Sequence, residues 1–391
     1  MNTVLFYVQH LLGIGHVYRA TRVARALASA GARVHLAWGG SVPSSLDLTG
    51  LEVTFLEPLR SDGSTFERLV TLDGTVVTEA HQQRRRDALL ALLQRLQPDA
   101  VMTETFPFGR RQLRFELEPL MQAARAAPWR PLTVSSIRDI LQEGRKPRSL
   151  AESMAAAHAW YDLVLVHGDP ALIRIEATLP GAQQIADKIR YTGLVTPDRT
   201  HALGPPSMSA PVVVSAGSGA VGHALTEAAL DAPRHCKRFP SGWLIIVGPE
   251  RNPAHTVALA ARAPPGVTVV REVPDLVRVF TAAAVSVSGA GYNTVGEILR
   301  AGCPAVLVPY SGNGQTEQPR RARMLQERGL TRMLGEDEVS AATLGAAVDA
   351  AAQWRPQPCD LDLDGASRSA RLLLNALDAR RRSQCAPSPQ A

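Results

Sequence analysis

A chain of 391 residues is longer than one hydrophobic core ordinarily serves, so its length points to two domains of ordinary size. Hydrophobic residues make up 45% and charged residues 20%, as in folded proteins and unlike disordered ones. The formal charge of +6 is modest and the arginines fall in short groups (Arg84 to Arg86; Arg320, Arg321 and Arg323), which excludes one long basic tract and sets nucleic acid aside as a partner. Cys236, Cys303, Cys359 and Cys385 are widely spaced, with no C-x-x-C pair and no metal-ligand companions, so a cytoplasmic location is expected. The apolar N-terminal stretch lacks a basic leader and is interrupted by Gln9, His10 and His16, so it reads as a strand. No apolar run reaches the roughly 18 residues of a membrane span, so membrane contact is expected to be at most peripheral, at the inner face.

In chain order the pattern is strand, loop, helix, repeated. Val4 to Val8 is a run of β-formers, followed by Gly13 and Gly15 and then by Val17, Thr21, Ala24 and Leu27 at helical spacing. Gly31 closes that helix, and Arg33 to Trp38 and Glu52 to Leu56 read as strands. A helix over Gln82 to Leu96 precedes a strand at Ala100 to Thr103, a helix near Arg110 to Arg125 precedes Leu132 to Ser135, and Asp162 to Val166 is a later strand. Such units imply a parallel sheet covered on both faces.

The alternation stops in a segment carrying Pro197, Pro205, Pro206 and Pro211, which places a linker at 197–211 between an N-terminal domain, 1–196, and a C-terminal domain, 212–380. The second domain restarts with strands at Val212 to Ser215, Trp243 to Val247, Val267 to Val270, Val285 to Ser288 and Ala305 to Pro309. The last helix, about Ala366 to Arg380, is expected to cross back to the first domain, and residues 381–391 read as a disordered polar tail.

Three segments carry chemistry. Gly13-Ile14-Gly15-His16 lies between a strand and a helix, where glycines allow a tight turn and the helix start offers unpaired N–H groups. It lacks the third spaced glycine of a dinucleotide fingerprint. A histidine at the positive end of a helix favours the neutral imidazole, which accepts a proton; the alternative is a histidine that merely caps the turn. The second glycine-rich loop, Ser215 to Gly222, suits a diphosphate but lacks the lysine of a P-loop; a plain strand-helix turn is the alternative. The third segment, residues 288–330, places Glu297 inside a helix, where its two oxygens can hold two vicinal hydroxyls, and Glu317 and Gln318 after a glycine-rich loop. Their alternatives are a solvated surface glutamate and a helix cap.

Residues 288–330, SGAGYNTVGEILRAGCPAVLVPYSGNGQTEQPRRARMLQERGL, resemble the nucleotide-sugar signature of the MurG-like, family 28 glycosyltransferases. The resemblance implies an α/β chain of the GT-B fold, two facing Rossmann-like parallel-sheet domains, with a UDP-sugar as donor. It further implies that Glu297 holds the ribose, that Gly217, Ser218 and Gly219 hold the diphosphate with Gly289 and Gly291 opening the facing turn, that Glu317 and Gln318 read the transferred sugar, and that the backbone near Glu272 and Val273 meets the base. The N-terminal half departs from MurG: its first loop has fewer glycines and Arg19 stands where proline often follows the histidine. Residues 103–120 and Ser136-Ile137-Arg138-Asp139 instead resemble a poorly characterised group of predicted bacterial glycosyltransferases. The resemblance of this half therefore does not by itself imply the lipid-linked acceptor of MurG. A wall for a hydroxyl acceptor is expected from Gly13, Gly15, Glu104, Phe106, Arg138 and Asp139, at the carboxyl ends of parallel strands; core packing is the alternative for Phe106 and Phe108.

The expected reaction moves a hexose or N-acetylhexosamine from the donor to that hydroxyl by one inverting displacement, with no metal and no cofactor. His16 is the expected base, with Glu104 and Asp139 as substitutes. A UDP-sugar 2-epimerase or nucleotide-sugar hydrolase on the same fold, and a non-catalytic nucleotide-sugar sensor, are the rivals.

Overall fold

The computed structural model describes residues 1–11, 15–43, 46–62, 68–142, 147–197, 208–217, 223–248 and 252–385. Contacts along the chain divide it into two compact units. One holds the N-terminal strand, His16–Val195 and the chain from Asp364 onward; the other holds Thr196–Leu363.

The first unit opens with β1 (Thr3–Val8), whose residues from Val4 on are fully buried, as a strand covered on both faces requires. After it come α1 (Gly15–Ser29), β2 (Arg33–Trp38), β3 (Glu52–Phe55), a small antiparallel hairpin of β4 (Leu59–Ser61) and β5 (Leu69–Thr71), α2 (Glu79–Leu96), β6 (Ala100–Glu104), α3 (Arg114–Ala126), β7 (Leu132–Arg138), α4 (Pro147–Trp160), β8 (Leu163–His167) and β9 (Ile189–Tyr191). Seven strands pair in the order β3-β2-β1-β6-β7-β8-β9, all parallel. The order reverses between β1 and β6, and the carboxyl ends of those two strands open the crevice where ligands bind in such sheets. One face of the sheet buries Leu5 and Tyr7 with Leu89 and Leu93 of α2 and Leu117 and Met121 of α3. Within this core Arg85 pairs with Glu116 at 2.7 and 2.9 Å, and Tyr7 Oη donates to the same carboxylate at 2.5 Å, which satisfies an ion pair that burial alone would disfavour.

The second unit repeats the plan with β10 (Val212–Ser215), α5 (His223–Asp231), β11 (Trp243–Ile246), α6 (Pro253–Ala261), β12 (Val267–Val270), α7 (Leu276–Ala282), β13 (Val285–Ser288), α8 (Tyr292–Ala301), β14 (Ala305–Leu307), α9 (Glu317–Glu327), β15 (Arg332–Met333) and α10 (Ala341–Ala352). Six parallel strands run β12-β11-β10-β13-β14-β15, with the reversal between β10 and β13. Its core sets Val212, Val214, Ile245 and Val287 against Leu225 and Leu259, and against Leu344 and Val348 of α10.

The final helix, α11 (Gly365–Cys385), belongs to the first unit, where Val195 pairs with Asp364, Arg380 reaches Asp162 at 3.3 Å and Arg381 reaches Asp99 at 2.9 Å. The helix runs five residues beyond Arg380, because those two ion pairs hold its last turns on the sheet; the expected polar tail is helical as far as 385. The second unit takes in Thr196, whose Oγ1 donates to Leu363 O at 2.9 Å, and most of the expected 197–211 linker lies outside the described residues. Phe106 and Phe108 are core residues, 1% and 0% exposed. Phe106 stacks on Trp160 and its carbonyl accepts from Thr103 and Ser135, so it lines no acceptor wall.

Candidate functional site

In the first unit, three adjacent strands end in polar residues. Glu104 closes β6 opposite Ser136 of β7, and His167 closes β8. Ser136 Oγ donates to Glu104 Oε2 at 2.7 Å and lies 2.8 Å from His167 Nε2. The first turns of α1 bring His16 and Arg19, three residues apart, to the other carboxylate oxygen. Arg19 Nη2 donates to Glu104 Oε1, and His16 Nδ1 stands 3.3 Å from the same oxygen, 3.1 Å from Arg19 Nη2 and 3.3 Å from Thr105 Oγ1. The Glu104 side chain is fully buried, Arg19 is 2% exposed and His16 keeps 18%. Of the three groups proposed from sequence as a base, only His16 is reachable: Glu104 is enclosed, and Asp139 is 1% exposed with Oδ1 accepting from Ile140 N.

The charges at this place are unequal. Burial would raise the Glu104 carboxyl, but Arg19 and the hydrogen bond with His16 outweigh it and hold the group ionised, well below the usual carboxylate range. Burial, then Arg110, push His16 down to about 3 against the pull of Glu104, so the imidazole is neutral at physiological pH. Burial lowers His167 to about 3 as well. Arg110 sits in the left-handed region (φ 60°) at the end of a loop that begins with Thr105, also left-handed (φ 70°). Its Nε and Nη2 are buried without a hydrogen-bond partner, and burial lowers the guanidinium to about 10, so it stays charged. Neither those unpartnered donors nor the pull of Glu104 on this cation is visible in the sequence. Sequence reading took Arg19 only as a departure from a pattern. The signal available was a polar residue ending each apolar strand. Arg138 closes β7 half-buried, Gly15 opens α1, and Gly13 lies outside the described residues.

In the second unit the described residues among those expected to hold the donor follow the carboxyl ends of β10, β12, β13 and β14. Gly217 follows β10 with φ 80°, a left-handed turn that glycine adopts without strain, and its N–H donates to Ser215 Oγ at 3.4 Å. Ser218 and Gly219 lie outside the described residues. After β13, Gly289 and Gly291 lead into α8; a Cβ on Gly291 would meet nothing within 4 Å. Glu297 is half-buried and shares one face of α8 with Asn293 and Arg300, while Thr294, Val295, Ile298 and Leu299 are buried. Glu272 and Val273 follow the carboxyl end of β12, both half-buried, and Glu272 Oε2 is buried without a hydrogen-bond partner. The acidic-Gln pair has structural work as well. Glu317 accepts from Arg321 at 2.9 Å, Arg321 in turn donates to Ala290 O, and Gln318 Oε1 accepts from both Ala290 N and Tyr310 N at 3.1 Å. Those bonds tie the turn after β13 to the loop after β14.

Residues 217–362 match the glycosyltransferase family 28 C-terminal domain. The chain is 27% identical over 347 residues, covering 85% of itself and 84% of the relative, to a UDP-N-acetylglucosamine–N-acetylmuramyl-(pentapeptide) pyrophosphoryl-undecaprenol N-acetylglucosamine transferase of Symbiobacterium thermophilum. Among solved structures it resembles the calicheamicin glycosyltransferase CalG4 (TM-score 0.60, 20% identity, 99% of this chain and 100% of that one) and MurG of Acinetobacter baumannii (TM-score 0.55, 16% identity, 98% and 100%). Two doubly wound parallel-sheet units with polar residues at the carboxyl ends of their strands have the GT-B fold of those structures, and the family and relative matches mark the chain as a glycosyltransferase. Within that class the second unit carries the family 28 C-terminal domain, and the chain is similar to the MurG-like transferases.

Proposed function

We propose that this enzyme moves a hexose or N-acetylhexosamine from a UDP-sugar to a hydroxyl acceptor by a single inverting displacement, with the donor on the second unit and the acceptor hydroxyl at His16. The reading is carried by His16, a reachable neutral imidazole 3.3 Å from a buried, ionised Glu104. Glu104 accepts from Nδ1–H, since an oxygen with two lone pairs serves both Arg19 and His16, and the Nε2 lone pair then takes the acceptor proton. As the proton arrives, the same carboxylate stabilises the imidazolium. Departure of the nucleotide diphosphate is assisted by the N–H groups at the start of α5, so no metal is needed for the step.

The UDP-sugar donor is supported by the name of the Symbiobacterium thermophilum relative, an N-acetylglucosamine transferase using UDP-N-acetylglucosamine, which matches along 84% of its length. The acceptor reading rests on this chain's own residues. Arg110, buried with two unpartnered donors and close enough to depress His16, favours an acceptor that carries an anionic group near the reacting hydroxyl. Any membrane contact is peripheral in this reading, as no helix among the described residues is long and apolar enough to cross one.

Two variants test the assignment together. Glu297→Ala should weaken UDP binding by about 1.5–3 kcal/mol, at least about tenfold, in a folded protein. His16→Ala should lower turnover by roughly 10² to 10⁴ fold with donor affinity little changed. Calorimetry and a nucleotide-diphosphate release assay separate the two effects. Unchanged UDP affinity in Glu297→Ala would displace the donor site, and near-normal transfer by His16→Ala would remove the base. UDP-sugar turnover without any acceptor would favour a hydrolase or epimerase.

A further inference from the structure

We propose a transition-metal site on the second unit, formed by His223, Glu227 and His255. His223 opens α5, Glu227 follows at i+4 on the same helix face, and His255 stands in the first turn of α6. Their ligand atoms all lie within 4.8 Å of one another, and the two imidazole rings are 5.0 Å apart, tilted by 54°. Ligands about 2.1 Å from a tetrahedral ion are about 3.4 Å apart, so small rotations of the three side chains close the site. His255 Nε2 is buried without a hydrogen-bond partner, which costs free energy unless an ion takes its lone pair. Glu227 also accepts from Arg262, at 2.9 and 3.2 Å, and its oxygens keep further lone pairs for a metal.

Two imidazoles and one carboxylate suit zinc, cobalt, nickel or copper and disfavour magnesium and calcium, which take oxygen ligands. Three protein ligands leave a fourth position open. The site goes beyond the transfer reading, in which the chemical step uses no metal; the ion would tie α5 to α6.

The test is titration of the full chain, without a histidine tag, with Zn(II) by calorimetry and with Co(II) by visible absorption. Wild type should bind one ion and give the intense d–d band of four-coordinate cobalt, with no displacement by excess Mg(II). His255→Ala and His223→Ala should each weaken binding by at least about tenfold, the least that even loss of an outer-shell group costs such sites. Arg262→Ala removes a competing cation and should bind as tightly or more so. Circular dichroism, with His223→Gln and His255→Gln as gentler replacements, separates lost ligation from lost folding. Absence of the cobalt band, equal affinity in the histidine variants and wild type, or loss of binding in folded Arg262→Ala would each overturn the site.

Discussion

At His16 two neighbours act in opposite directions. Burial and the Arg110 charge hold the imidazole at about 3, while Glu104 favours its protonated form. So low a value keeps the ring neutral but makes it a poor proton acceptor, since general-base catalysis is most effective when the pKa approaches the working pH. An anion on Arg110 would offset the second-largest depressing cause and raise His16 toward the useful range, so the acceptor itself would prepare its base. It follows that Arg110→Gln should raise the His16 pKa from about 3 toward 6.5. An NMR titration of the ring protons would read this, and a His16 resonance that titrates no higher than in wild type would count against the coupling. His16 and Glu104 are each visible in the sequence, His16 from its helix start and Glu104 from its strand end. Their pairing is not, because residues 16, 19, 104, 136 and 167 are joined only by the order in which the strands lie side by side. The metal-type cluster is hidden for a related reason: His223 and His255 sit on different helices, with β11 between them in the chain.

Among the elements, short stretches rich in valine are legible as strands; β10 (VVVS), β12 (VTVV) and β13 (VSVS) have the very bounds expected of them. The hairpin strands β4 and β5, and the edge strands β9 and β15, are two or three residues long and carry no periodicity to read, so their pairing is fixed by the neighbouring chain. The start of α11 is likewise set by packing. Arg300 donates to Thr196 Oγ1 and to Leu363 O, gathering both ends of the second unit, and Gly365 then enters the first unit with its N–H on Leu194 O at 3.0 Å. A Cβ at Gly365 would fall 2.5 Å from Gly193 O and 2.8 Å from Leu194 O, both backbone atoms that cannot turn aside. Gly365→Ala should therefore destabilise the protein by about 1–3 kcal/mol, the usual cost of overpacking. Urea denaturation would measure it, and a midpoint equal to that of wild type would mean that the helix start shifts without penalty.

For the whole molecule the consequence lies in how acid acts on stability. His10, His16 and His167 all belong to the first unit and are all lowered, burial being the first cause in each, to about 4, 3 and 3. In the unfolded chain they titrate near 6.5, so between about pH 6.5 and 4 the unfolded state binds more protons than the native one. Stability from keeping these rings neutral is complete above pH 6.5 and is lost as the pH falls. Each proton taken up on unfolding contributes a slope of about 1.4 kcal/mol per pH unit. Glu104 acts in the same direction lower down, because its depressed carboxyl stays ionised in the native state where the unfolded chain would protonate it, below about pH 4.5. The first unit should therefore lose stability steeply between pH 6.5 and 4, with uptake of up to one proton by each of these three histidines on unfolding. Urea titrations at pH 7, 6 and 5, followed by fluorescence of Trp38, Trp129 and Trp160 after replacing Trp243 and Trp354 with phenylalanine, would report this unit. The dependence should vanish in large part when His167 and His16 are replaced by glutamine, which cannot titrate. A first unit equally stable at pH 7 and pH 5 would mean that its buried histidines take up protons without opening the fold.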